Sequence, residues 1–224
     1  MIQFDKTILK NGLTVIVHTD RSTPFVAVNV CYNVGSKHED PSRTGFAHLF
    51  EHLTFGGSRH VADFDTAVQM AGGANNAFTS NDLTNYYITL PANNIETAMW
   101  LESDRMLGPK FTKKGLDVQK KVVIEEFRQR NLNKPYGDVW HLMRDLAYKV
   151  HPYRWPTIGL VPEHIASATL EDVKDFFFHH YAPNNAVLVI SGNIGSSDAF
   201  KLAEKWFSDI PSREIAPYPI QTEP

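Results

Sequence analysis

Cysteine is nearly absent. The 224-residue chain holds one, Cys31, which excludes an internal disulfide and any metal site built from cysteines. Set in a β-branched stretch, Cys31 reads as an inert core thiol. Long apolar runs are missing as well, and none approaches the roughly 18 residues of a membrane span. The first residues, Met1-Ile2-Gln3-Phe4-Asp5-Lys6, lack the basic start and apolar stretch of a secretory signal. The sequence therefore predicts a cytoplasmic protein. An excess of one charge is also lacking: 22 Lys+Arg against 25 Asp+Glu leave a formal −3. That balance gives no electrostatic grip on a nucleic-acid backbone or an anionic membrane. Gly56-Gly57 and Gly72-Gly73 precede no Gly-Lys-Ser/Thr, which excludes a phosphate-binding loop. There is no internal repeat and no low-complexity segment. What is present, 42% hydrophobic and 21% charged residues, is the composition of a globular chain with a sizeable core.

The pattern along the chain predicts an α+β fold, a mostly antiparallel sheet covered by helices. Ile8-Leu9-Lys10 and Leu13–Val17 flank Asn11-Gly12, read as a two-residue hairpin turn. Phe25–Tyr32, Ala74–Thr79, Asn85–Leu90 and Asn185–Ser191 read as further strands. Helices are predicted over 44–55, 63–71, 94–107, 113–130, 137–150, 170–180 and 197–207. The aromatic run Phe176–Tyr181 reads as a packed helix end, and its adjacent histidines point to different sides. Residues 1–210 are read as one half-domain. Residues 211–224, with four prolines, are read as a linker.

The segment that carries chemistry is His48-Leu49-Phe50-Glu51-His52. On a helix His48 and His52 stand one turn apart on one face and can grip a single metal ion. Glu51 borders that face, near enough to reach a water on the metal while staying out of its coordination shell. Zinc suits neutral imidazoles plus a carboxylate with one open position. This is the H-x-x-E-H arrangement, with Glu51 as the base toward water. A third ligand is needed, and carboxylates interrupt an apolar helical stripe at Val122-Val123-Ile124-Glu125-Glu126-Phe127. Glu126 shares a face with Gln119, Val122 and Val123, and Glu125 points about 100° away. Periodicity separates the two only weakly, and either could instead pair with Lys121 or Arg128.

Gly45 through Ser58 resembles the zinc helix of the pitrilysin/insulinase family of metallopeptidases, which includes insulin-degrading enzyme and the mitochondrial processing peptidase. The resemblance runs from Ile8 to about Phe207. It implies one zinc per chain on His48, His52 and Glu126, with Glu51 as general base. The family often carries another glutamate seven positions before the third ligand, where this chain has Gln119. Asn75–Tyr87 resembles the family's edge strand, which pairs with bound peptide by main-chain hydrogen bonds. The resemblance assigns Asn76 and Ala77 to the substrate backbone, and Phe55 and Phe78 to a side-chain pocket. Pro156–Gly159 and Glu163–Ile165 resemble a loop that follows the third-ligand helices. Family members are built from paired homologous halves, so the resemblance also implies a C-terminal half-domain or partner subunit. It implies an apolar docking patch through which this chain would form a homodimer in isolation. The function so implied is endopeptidase action on short or unfolded peptides. The alternative is a non-catalytic scaffold subunit of the processing-peptidase kind, a type that tends to lose ligand residues.

Overall fold

The computed structural model describes residues 2–215, 217–218 and 222–224. Six strands, β1 (Asp5–Ile8), β2 (Thr14–Thr19), β3 (Phe25–Tyr32), β4 (Ala74–Thr79), β5 (Thr84–Pro91) and β6 (Ala186–Gly192), form one sheet in the order β1-β2-β6-β3-β5-β4. Only the β2–β6 pair is parallel. Strand alternation gives the sheet two unlike faces. Val15, Val17, Val28, Val30, Tyr86, Ile88, Leu188 and Ile190 are buried on one face, and their cross-strand pairing keeps them on the same side. Helices cover that face, so the α+β reading holds.

The helices are α1 (Phe46–Thr54), α2 (Phe64–Met70), α3 (Ile95–Leu107), α4 (Lys113–Phe127), α5 (Val139–Ala147), α6 (Pro162–Ala166), α7 (Leu170–His180) and α8 (Ser196–Phe207). Helix α1 lies against α4 and β4. It buries Phe46, Leu49, Phe50 and Leu53, which leaves its histidine face toward α4. Phe50 sits in an aromatic nest made by Tyr181, Phe177, Phe176 and Phe111, with ring centroids 4.1–6.0 Å away. The aromatic end of α7 is thus the floor under the motif helix. Cys31 is half-buried, and burial raises its thiol pKa, consistent with an inert group.

Two local readings are corrected, at the first hairpin and at the end of α4. The first hairpin closes with a three-residue loop, Lys10–Gly12, in which Gly12 N–H returns to Leu9 O and Gly12 has φ 87°. Asn11 explains the difference: its side chain turns inward and donates to the Phe207 and Ile210 carbonyls at 2.8 and 2.9 Å. Helix α4 stops at Phe127 and widens into a π turn over Arg128–Leu132, where Asn131 donates to Phe127 O. Residues 211–218 form no helix or strand where described, yet Arg213 is docked. Its guanidinium stacks on Phe177 and Phe178 and donates to the Phe177 and Tyr181 carbonyls.

Candidate metal centre

Helix α1 presents His48 and His52 from one side, and α4 delivers Glu126 opposite them. His48 Nε2 and His52 Nε2 are 3.3 Å apart. Glu126 Oε2 lies 3.6 Å from the first and 3.4 Å from the second. A tetrahedral zinc with bonds of about 2.0–2.1 Å holds its ligand atoms roughly 3.3–3.4 Å apart. The three donors therefore stand at nearly the spacing that one ion requires. No other cluster of three His, Cys, Asp or Glu donors with that convergence exists among the described residues.

Protonation favours the same use. Burial is the main force pushing His48 down to about 4, against the opposing pull of Glu126. Glu126 is held below its ordinary value, first by the hydrogen bond with His52, with burial working against it. A neutral imidazole beside an ionised carboxylate is the state a divalent cation needs. Glu51 is raised by burial, with the Thr79 hydroxyl acting the other way. A carboxylate raised toward neutrality is better matched to moving a proton near pH 7. Glu51 is outside the convergent trio and accepts a hydrogen bond from the Thr79 hydroxyl of β4.

The two glutamates of α4 are now separated. Glu125 is half-exposed and pairs with Arg128 at 3.6 Å, whereas Glu126 faces the histidines. The other oxygen of Glu126 is held by Arg130, a residue the sequence reading missed although i, i+4 spacing could have shown it. Thr79 was missed too, and only strand alternation hints at it. Gln119 lines the cleft beside Leu53 and Gly56. His48 Nδ1 is buried without a hydrogen-bond partner among the described residues.

Strand β4 is an edge of the sheet. Asn75, Ala77 and Thr79 face the helices, while Asn76 and Phe78 alternate to the open side. The Ala77 N–H is bound by the Asn76 side-chain oxygen at 2.8 Å. Phe55 caps α1 and rests on Tyr86 and the Arg105 guanidinium. Phe78 is exposed. Phe55 and Phe78 make no ring contact among the described residues. The segment Pro156–Ile165 runs into α6 and buttresses the start of α1, where the Thr44 N–H meets His164 Nδ1 at 3.1 Å.

The sequence model of the insulinase family, peptidase family M16, matches residues 14–158. The chain belongs to this family. A second model, the peptidase M16 inactive domain, matches residues 167–224. That stretch supplies β6, the strand between β2 and β3, so both matches fall on one sheet. The zinc protease PqqE of Helicobacter pylori is 34% identical over 96% of this chain and 50% of its own length. The mitochondrial-processing peptidase subunit beta of Saccharomyces cerevisiae is 26% identical over 95% and 46%. A solved protease from Helicobacter pylori superposes with a TM-score of 0.95 at 32% identity, over all of this chain and 55% of that one. The first half of the periplasmic protease PqqL from Escherichia coli shares the fold, with a TM-score of 0.86 at 24% identity over 98% of this chain and 49% of that one. The chain spans about half the length of the curated relatives it matches. It corresponds to the amino-terminal half of the M16 zinc-protease architecture.

Proposed function

We propose that the chain is the catalytic half of a zinc metalloendopeptidase that cleaves extended peptides. The observation that carries this reading is the meeting of His48, His52 and Glu126 at zinc spacing beside Glu51 and an open sheet edge. His48, His52 and Glu126 would hold one zinc, which when bound supplies Lewis acidity toward water and a carbonyl oxygen. Glu51 takes the proton from the attacking water and hands it to the departing amine. Thr79 keeps the Glu51 carboxylate turned toward that water. The free edge of β4 receives the peptide backbone as an added strand. The Ala77 N–H, capped by Asn76, is the donor the incoming chain takes over. Asn76 and Ala77 then serve the backbone, and Phe55 and Phe78 are assigned to peptide side chains on opposite sides of β4.

A second homologous half completes the site. Helix α5 supports this: Trp140, Leu142, Met143 and Leu146 are exposed on it, with Tyr136 and Leu132 nearby. An apolar surface of this kind marks a docking site. A scaffold role is disfavoured because both histidines, the base and the third ligand are all present.

Glu51→Gln tests the reading. The variant should retain one zinc by metal analysis and bind peptide. When it is assembled with the second half, its hydrolysis of a quenched fluorescent peptide should fall by roughly 10²–10⁴-fold. Loss of zinc would make Glu51 a ligand and overturn the assignment.

A further inference from the structure

The helix that carries His48, Glu51 and His52 has no side-chain cap of its own. It begins at Gly45, whose φ is 90°. A Cβ there would lie 2.7 Å from Ile165 Cδ1 and 2.9 Å from the Ile158 carbonyl oxygen. The usual capping residues Ser, Thr and Asp are thereby excluded. The cap comes instead from Glu39. Its Oε2 accepts the Gly45 N–H at 2.9 Å and its Oε1 accepts the Ala47 N–H at 2.8 Å. Glu39 is only 3% exposed. Burial lifts its pKa to about 8 against the pull of these amides; the ionised carboxylate accepts through both oxygens, and the protonated form keeps its carbonyl oxygen as an acceptor.

The other end of α1 is held by Arg105 of α3. Its Nη1 donates at 3.2 Å to the carbonyl of Thr54, the last residue of α1. The buried guanidinium lies over the rings of Phe64, Tyr86 and Phe55, with centroids 4.2, 4.6 and 5.1 Å away. Its remaining edge pairs with buried Glu102 at 3.2 and 3.3 Å. A buried ionisable group is costly unless its partners are well placed. These two groups sit where a helix favours them, an acid at the amino end and a base at the carboxyl end. Neither touches His48, Glu51, His52 or Glu126 through a hydrogen bond or ion pair among the described residues.

We propose that Glu39 and Arg105 are positioning residues that clamp both ends of α1, so that His48 and His52 meet Glu126 of α4 and Glu51 meets Thr79 of β4. The proposal rests on the zinc-peptidase reading of the centre. The five groups come from three separate elements, and a productive site tolerates misplacement of only about 0.5 Å. Apolar packing under Phe50 holds α1 down. The two polar anchors, from the loop before α1 and from α3, fix where it lies along its own axis.

Amide hydrogen exchange on the chain, with and without zinc, tests the clamp directly. In the unmodified chain the Gly45 and Ala47 amides should exchange as slowly as core strand amides. Rapid exchange of both would overturn the proposal, and this arm needs no variant to fold. Glu39→Gln and Arg105→Lys should each speed exchange at the affected end of α1. Each should also weaken zinc by roughly 10–100-fold in a chelator competition and shift the visible spectrum of the cobalt-substituted chain. In the assembled enzyme kcat should fall with KM little changed. Phe207→Leu, a core change in α8, is the control: at a matched loss of Tm it should leave zinc affinity and the cobalt spectrum intact. Folded Glu39 and Arg105 variants with unchanged zinc affinity and spectrum would refute the clamp. Protected Gly45 and Ala47 amides in a chain that binds no zinc would support the clamp and refute the metal reading.

Discussion

Glu125 and Glu126 are neighbours in sequence with opposite surroundings. Glu125 is paired with Arg128 in solvent, and Glu126 is turned onto two imidazoles. Glu126→Gln should therefore strip most zinc affinity, and Glu125→Gln should leave it intact; a titration with a zinc chelator reads both. Emptying of the site by Glu125→Gln would reverse the ligand assignment. The histidine pair was legible in the sequence because its geometry is local, one helical turn. Glu126 was only half legible, since the face it shares is also the rim of α4. The contacts of Thr79 and Arg105 were not legible, because each joins elements distant in the chain, and those of Glu39 were not because a loop contact to Gly45 and Ala47 follows no helix or strand spacing. His180 offers a separate test at this scale. Burial, aided by His38 and His179, pushes it down to about 4 from an ordinary 6.5. Its ring packs on Phe176 and His38. The unfolded chain binds this proton more readily, so stability rises with pH between about 4 and 6.5 and is lost on acidification through that window. At about 1.4 kcal/mol per pKa unit the contribution is at most roughly 3.5 kcal/mol. Urea unfolding from pH 4 to 7 should show His180→Phe with a flatter acid limb than the parent. Equal slopes would mean that His180 titrates normally.

Elements were legible where one periodicity ruled. The β-branched run of β3, the alternation of β6 and the apolar stripe of α1 lie where the pattern puts them. Reading failed where a side chain competed with the backbone pattern. Asn11 redirects the hairpin loop by bonding the end of α8, and Asn131 bonds the Phe127 carbonyl in the π turn that ends α4. That π turn matters to the candidate centre, because the helix stops just past Glu126 and Arg130 is left against that carboxylate, in keeping with the frequency of such turns at functional sites. Edge strand β4 carries the prediction at this scale. Its Ala77 N–H is held by the Asn76 side chain and is free of the β5 ladder. Proline is tolerated on an edge strand when the missing N–H faces outward. Ala77→Pro should therefore preserve folding and zinc while raising KM for extended peptides by roughly tenfold or more, as a backbone hydrogen bond of about 1–1.5 kcal/mol and the strand's fit are lost. An unchanged KM would remove β4 from substrate binding.

At the scale of the whole molecule, the centre is one-sided. Glu51, the three donors and β4 belong to one sheet-and-helix unit, and the chain matches only about half the length of its relatives. Activating water is within reach of these residues. Holding the peptide from its far side, excluding bulk water and steadying the charge that develops on the carbonyl oxygen need an opposing wall. Loss of a single donor to that oxygen commonly costs about 10²–10³ in rate, and an open face forgoes several such contributions at once. The exposed apolar residues of α5, Trp140 and Met143 among them, belong to the same argument, since a surface that binds nothing has no need of them. The chain alone should then fold and bind zinc while cleaving peptides poorly, and it should self-associate at micromolar concentrations. Mixing it with its cognate second half should raise kcat/KM by orders of magnitude. Trp140→Ser should weaken that assembly and leave zinc untouched. Peptidase assays paired with sedimentation measure both effects. Full activity from a monomer of this chain would show that one half suffices, and would refute the two-half mechanism while sparing the metal centre.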